Sequence, residues 1–331
     1  MYHSSVSVLV LLALGAPDER PGRMPLLSND EAWMRLPGAP AAAEPLPAWA
    51  RLLAGPLPKT TAQMLQLDAL HRTGDRLDPK LRAKMRWVAA DANRCAYSRA
   101  AAEADYRRAG GDAAELQSLA GDLAGLPENE RAALTFARKL TVRGASVTDD
   151  DVKPVLDRYG DRQVVAMVAL IAHACFQDGI ILALDPPAEP GGPPPPVTAR
   201  FPHTRTPAGP PPKSPAAAPS GPPTGPAVAA PDPEWRDKSF ADLQHEMERQ
   251  RARPARIRIP PWDDVGPRLP RDSWGHRLPR IVWNRVCYAH QPDLFDAWFD
   301  CVDAFRQETK QDRVFQQDLF WVVTRANDCF Y

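Results

Sequence analysis

The chain has 331 residues, a formal net charge of zero and an isoelectric point near 7.1. That length accommodates two domains, each large enough to bury its own core, and the balanced charge excludes a global pull on nucleic acid or on an acidic partner. Five cysteines, Cys95, Cys175, Cys287, Cys301 and Cys329, form neither a Cys-x-x-Cys pair nor a metal-ligand spacing. So few in so long a chain do not make a disulfide framework, and the odd number leaves at least one thiol free or paired between chains.

Val6–Ala16, VSVLVLLALGA, is an apolar run of signal-peptide length that ends in small residues and lacks a charged start. It is too short to span a bilayer. Residues 1–23 read as a leader with a cleaved export signal, which implies a periplasmic or secreted protein. The alternative is a start at Met24 and a cytoplasmic protein. From Met24 to Pro58 the chain is loop-rich, with one short helix near Asp30–Leu36. Thr60–Arg72 is a helix with apolar Met64, Leu65, Leu67 and Leu70.

Asp78 and Pro79 supply an N-cap and a first-turn proline for the next helix. Asn93-Arg94 reads as a joint, and Cys95 opens a helix to about Arg108 that Gly110-Gly111 stops. Ala114–Leu123 is predicted as a third helix of this set. A fourth starts at Pro127, with Ala133, Phe136, Ala137 and Leu140 on one face. A fifth runs from a Thr148 cap to Gly160, and a sixth from Arg162 to about Leu184. The last is apolar nearly all round except at His173, so it is expected at the centre of a bundle rather than in a membrane.

Of 38 prolines, 19 lie between Pro186 and Pro233, a linker composition. A charged helix, Glu234–Arg251, follows. Arg249, Arg251, Arg253, Arg256 and Arg258 lie close to Trp262 and Trp274, but Glu246, Glu248, Asp263 and Asp264 flank them, so the run reads as a solvated face and not as a nucleic-acid site. Leu278–Gln307 is largely helical, with a break near Pro292.

The chain repeats itself. A shift of 234 positions lays Asp312–Tyr331, DRVFQQDLFWVVTRANDCFY, on the stretch that starts at Asp78; Trp87, Val88, Ala92, Asn93, Cys95 and Tyr97 recur as Trp321, Val322, Ala326, Asn327, Cys329 and Tyr331. Leu81, Met85, Val88 and Ala89 match Phe315, Leu319, Val322 and Val323 as one helical stripe, and Leu294–Phe305 stands where Thr60–Arg72 stands in the first copy. Trp87 and Trp321 are expected in a core. The apolar face of Phe315, Leu319 and Val322 is expected to be exposed, because the helices that would cover it do not follow.

WVAADANRCAYS and WVVTRANDCFY, with the helix order around them, resemble the carboxymuconolactone decarboxylase-like, or AhpD-like, family. The resemblance implies an all-α fold: an AhpD-like six-helix module over 24–200, a proline-rich disordered linker over 201–233, and a truncated second module over 234–331. It also implies a homo-oligomer without a membrane span or bound cofactor, and peroxiredoxin-type chemistry on a thiol or peroxide substrate, in which one cysteine thiolate attacks the peroxide and a second resolves the sulfenic acid. The catalytic candidates carried over are Cys95, Ser98 and Cys329. Cys95 takes the first cysteine position, where a helix start favours the thiolate, but Ser98 replaces the second cysteine. Ala102 and Ala83 stand where the resemblance implies the relay His and Glu. In the second copy Gln317 stands at the Glu position, and the resemblance implies a continuation past Tyr331 that brings a second cysteine. The first module is therefore expected to have lost thiol turnover. A non-catalytic scaffold is the competing reading, and a third is lactone or carboxylate chemistry, which would require polar groups lining a pocket; of the first module's histidines only His71 and His173 lie near its helices.

Overall fold

A computed structural model describes residues 24–38, 44–203, 237–252, 254–278 and 281–327, and within them the fold is all-α, with thirteen α-helices and no strand. The expected export signal, nearly all of the 201–233 linker, and Cys329 lie outside the described residues.

Helix α1 (Asn29–Arg35) starts with a capping box, in which Ser28 and Glu31 each accept from the other's backbone N–H. Short α2 (Ala48–Leu53) leads into α3 (Pro58–Arg72) and α4 (Pro79–Ala92). Asp78 caps α4, accepting from the Leu81 N–H at 2.9 Å, ahead of a proline whose missing N–H costs nothing in a first turn. The joint expected at Asn93-Arg94 is a left-handed Arg94 (φ 56°), after which the Cys95 N–H donates back to the Ala90 carbonyl at 2.8 Å. α5 (Ala96–Arg108) then ends at left-handed Gly110 (φ 77°). The third helix is shorter than expected: α6 (Ala113–Gln117) tightens into one 3₁₀ turn and stops where Gly121 turns extended. α7 (Glu128–Arg143) and α8 (Asp149–Leu184) complete the set. α8 breaks its geometry at Gly160 (φ 71°, ψ 168°), where the sequence places the end of one helix and the start of the next.

The main core forms where α4, α7 and α8 meet. Met85, Trp87 and Val88 of α4 pack with Leu134 and Phe136 of α7 and Met167, Leu170 and Ile171 of α8. Each such side chain contributes about 1.5–3 kcal/mol by leaving water. α8 is long and apolar enough to cross a membrane by composition, yet 67% of its most apolar window is buried in the bundle. It behaves as the central helix of a folded core.

The later helices are α9 (Phe240–Ala252), α10 (Trp262–Val265), α11 (Val282–His290), α12 (Pro292–Thr309) and α13 (Arg313–Ala326). α9 begins later than expected, at Phe240. α12 lies along α3, and α11 packs on α8; Val165 and Ala169 of α8 share an apolar cluster with Tyr288 of α11 and with Leu294 and Phe295 of α12. Along the basic run, Arg249 pairs with Glu246, and Arg256 pairs with Asp149 at the start of α8. α13 is largely uncovered: Phe315, Leu319, Val322 and Val323 are all about half exposed or more. Trp321 is exposed as well, contrary to the expectation of a core residue. Its counterpart Trp87 is buried by α5, α7 and α8, and no such helices cover α13 among the described residues.

The prolines do not act as a linker throughout. Residues 186–203 are docked: Val197 and Phe201 are buried, and Phe201 stacks on Trp33 at 5.9 Å. Proline has no N–H of its own to satisfy, so the carbonyls of this strap remain free to accept from the helices beneath it.

Candidate functional site

α3, α4, α5 and α8 enclose a cavity of about 330 Å³, roofed by Pro193, Pro194 and Pro196 of the strap. Helical spacing aims the side chains inward: Asp68, His71 and Arg72 from α3, Arg82 and Arg86 from α4, Ser98 and Asp105 from α5, His173 and Gln177 from α8. The volume lies at the small end of the usual range of roughly 300–1,000 Å³ for ligand sites.

His71 and His173 stack at 4.4 Å between ring centroids, 18° from parallel, and both are buried. Among the described residues neither ring accepts or donates a hydrogen bond. Burial pushes the His71 imidazole well below its ordinary value, with His173 adding to the effect; burial, then Arg86 and Arg72, hold His173 down at about 3. Both rings are therefore neutral near pH 7, and each keeps a lone pair.

Two salt-bridge systems brace this pair. Arg72 donates to Asp105 at 2.8 and 3.0 Å, to Asp68 at 3.0 Å and to the Pro194 carbonyl at 3.0 Å, which ties the roof to the wall. Gln177 donates to the other oxygen of Asp68 at 3.0 Å. Arg86 binds Asp178 in a fork, and Asn93 donates to Asp178 at 2.8 Å. Arg82 differs. One terminal nitrogen donates to the Thr73 and Gly74 carbonyls at 3.1 and 2.8 Å, and no carboxylate pairs with it among the described residues. Burial lowers its pKa, but a guanidinium keeps its charge. A cation without a salt-bridge partner, its charge offset only in part by the fields of Asp105 and Asp78, thus sits on the wall of a cavity that also holds two neutral imidazoles.

The thiol candidates lie differently. Cys95 is 1% exposed, is not on the cavity wall, and its thiol donates to the Ser98 hydroxyl at 3.3 Å. Ser98, Ala83 and Ala102 do line the cavity, so the three positions at which the family resemblance implies Cys, Glu and His face one space here, with none of those side chains present. Burial raises the pKa of Cys175, of Cys287 and of Cys301, the last to about 12. No group of three or more His, Cys, Asp or Glu is placed to hold a metal among the described residues. Of the polar groups around the cavity, the sequence singles out His71, His173 and Ser98. Arg82 and Arg86 were missed because arginines on an amphipathic helix read as solvated; only their i, i+4 spacing on the face that carries Ala83 points inward.

No protein-family model and no curated protein matches this chain.

Proposed function

We propose that the cavity binds a small organic carboxylate and moves a proton on it. Arg82 receives the carboxylate, and one imidazole of the His71–His173 pair takes a proton from a carbon or oxygen next to it and, as the imidazolium so formed, returns it to a neighbouring atom. The observation that carries this reading is the stacked, unbonded imidazole pair in one cavity with Arg82, a cation held by carbonyls and in no salt bridge among the described residues. A neutral imidazole is the proton acceptor such chemistry needs. An anion placed beside it raises its proton affinity, so binding itself prepares the base.

We read the scaffold as a carboxymuconolactone decarboxylase-like module that works without the thiol pair. The helix starts support a duplicated chain: α2, α3 and α4 begin at Ala48, Pro58 and Pro79, and α11, α12 and α13 begin 234 residues later, at Val282, Pro292 and Arg313. Thiol peroxidase chemistry finds less support in the first module, where Cys95 is enclosed and its neighbour is a serine.

Calorimetric titration of the full chain with malonate, succinate and lactate at neutral pH tests the reading. At least one of them binds with a dissociation constant below about 1 mM, and Arg82→Gln weakens it by roughly tenfold or more, as the loss of one charge-assisted pair does. Binding by none of the three, or equal binding by the Arg82→Gln variant, overturns it.

A further inference from the structure

A second cavity, of about 630 Å³, lies between α3, the end of α8, α12 and α13. Asp68, His71, Arg72, Arg82, Ala83 and Arg86 all line the first cavity, and the residues 234 positions later, Val302, Phe305, Arg306, Gln316, Gln317 and Phe320, all line the second. We propose that the second cavity is the duplicate of the first, re-lined to hold a long-chain aliphatic carboxylate, with Arg306 receiving its head group. The correspondence rests on the duplication read above; it does not depend on proton transfer by the imidazole pair.

Four of the exchanges remove a charged or titratable side chain, and one, Ala83 to Gln317, adds a polar amide. Asp68 becomes Val302, His71 becomes Phe305, Arg86 becomes Phe320 and Arg82 becomes Gln316, so two cations, one carboxylate and one imidazole are lost. Their replacements, except Gln316, are apolar. The rest of the wall agrees: Phe176 meets Trp298 edge-on at 5.3 Å, with Ile180, Leu319 and Val323 around them. An apolar wall favours a chain of methylene groups, each contributing about 0.8 kcal/mol when buried.

Of the three arginines among the six residues of the first cavity, one remains. Arg72 is neutralised by Asp68 and Asp105. Its counterpart Arg306 is exposed and has no carboxylate partner among the described residues; the place of Asp68 is taken by Val302. One accessible cation beside an apolar cavity complements one anionic head on an aliphatic tail.

The test uses the full chain and two probes of equal chain length, dodecanoate and dodecan-1-ol, titrated against intrinsic tryptophan fluorescence, with circular dichroism of each variant. Dodecanoate is expected to bind saturably at one per chain. Arg306→Gln, a change at an exposed residue, should weaken dodecanoate about tenfold and leave dodecan-1-ol unchanged. Phe320→Arg, which restores the first cavity's residue, should reduce both by tenfold or more. Arg82→Gln should lose succinate and keep dodecanoate, which separates failure of the first site from failure of this one. The proposal is overturned if dodecanoate does not saturate, if folded Arg306→Gln binds it as the parent does, if Arg82→Gln is the variant that loses it, or if its binding disappears on dilution below self-association, which would make the occupant a second copy.

Discussion

Glu308, in the last turn of α12, caps α3 at Thr60: one carboxylate oxygen accepts from the Thr60 N–H at 2.7 Å and its hydroxyl at 2.6 Å, and the other from the Lys59 N–H at 2.7 Å. The opposite ends meet too, since Arg76 beyond α3 pairs with Asp293 in the first turn of α12. The two helices thus run antiparallel, and each start is held by a residue near the other's end. Lys59 and Asp293 are themselves 234 positions apart, so the contact is nearly reciprocal within the repeat. Glu308→Ala removes two or three partners of otherwise unpaired helix-start donors. It should cost about 1–2 kcal/mol in urea unfolding, and an unchanged midpoint would show that water replaces the cap.

Asp178 is 1% exposed and holds Arg86 and Asn93. Asp178→Leu alone leaves a mostly buried guanidinium unpaired and should destabilise by about 3–5 kcal/mol. Arg86→Met combined with Asp178→Leu should be less damaging than either single change, because no uncompensated charge remains. A double-mutant cycle in denaturant measures this; additive losses would place the stabilisation outside the pair.

The imidazole pair makes stability depend on pH in a defined direction. His173 is held at about 3 in the folded chain against an ordinary 6.5, and His71 is shifted the same way. Between those values the unfolded chain binds more protons than the folded one, so stability is fully present above about pH 6.5 and falls as pH drops toward 3. The slope approaches about 1.4 kcal/mol per pH unit for each fully shifted ring. His71→Leu/His173→Leu should flatten the slope between pH 6.5 and 5 in urea titrations; an unchanged slope would assign it to carboxylates.

Cys95 should alkylate only as the protein unfolds. With Cys175, Cys287, Cys301 and Cys329 changed to serine, iodoacetamide labelling at pH 8 is expected to be orders of magnitude slower than in urea, and to track the unfolding equilibrium. Rapid native labelling below pH 8 would restore the thiolate reading of the helix start.

The helices were legible because their signals are local: Asp78-Pro79, Thr148 and Gly160 mark boundaries that depend on few neighbours, and the apolar stripe of α4 has a helical period. α6 ended early because the extended turn at Gly121 depends on how Leu116 and Leu119 reach the core. Trp321 was misplaced since burial belongs to the helices around a side chain, and α13 lacks those that cover Trp87. The docked strap was hidden because proline-rich composition describes a free chain as well as one whose carbonyls are taken by Arg72 and Arg108. Cys95 drew attention as a motif, whereas the cavity beside it is built by residues spread over α3, α4, α5 and α8, whose convergence is tertiary.

The most direct test is an NMR pH titration of the imidazole C–H resonances of His71 and His173 in the full chain, with and without succinate. Without it, the two rings should stay neutral down to at least pH 5, where the other histidines serve as internal references. Saturating succinate should raise the midpoint of at least one ring by a unit or more, and Arg82→Gln should abolish that change. Rings that titrate near 6.5 in the free protein, or midpoints indifferent to succinate, would contradict a carboxylate site served by this pair.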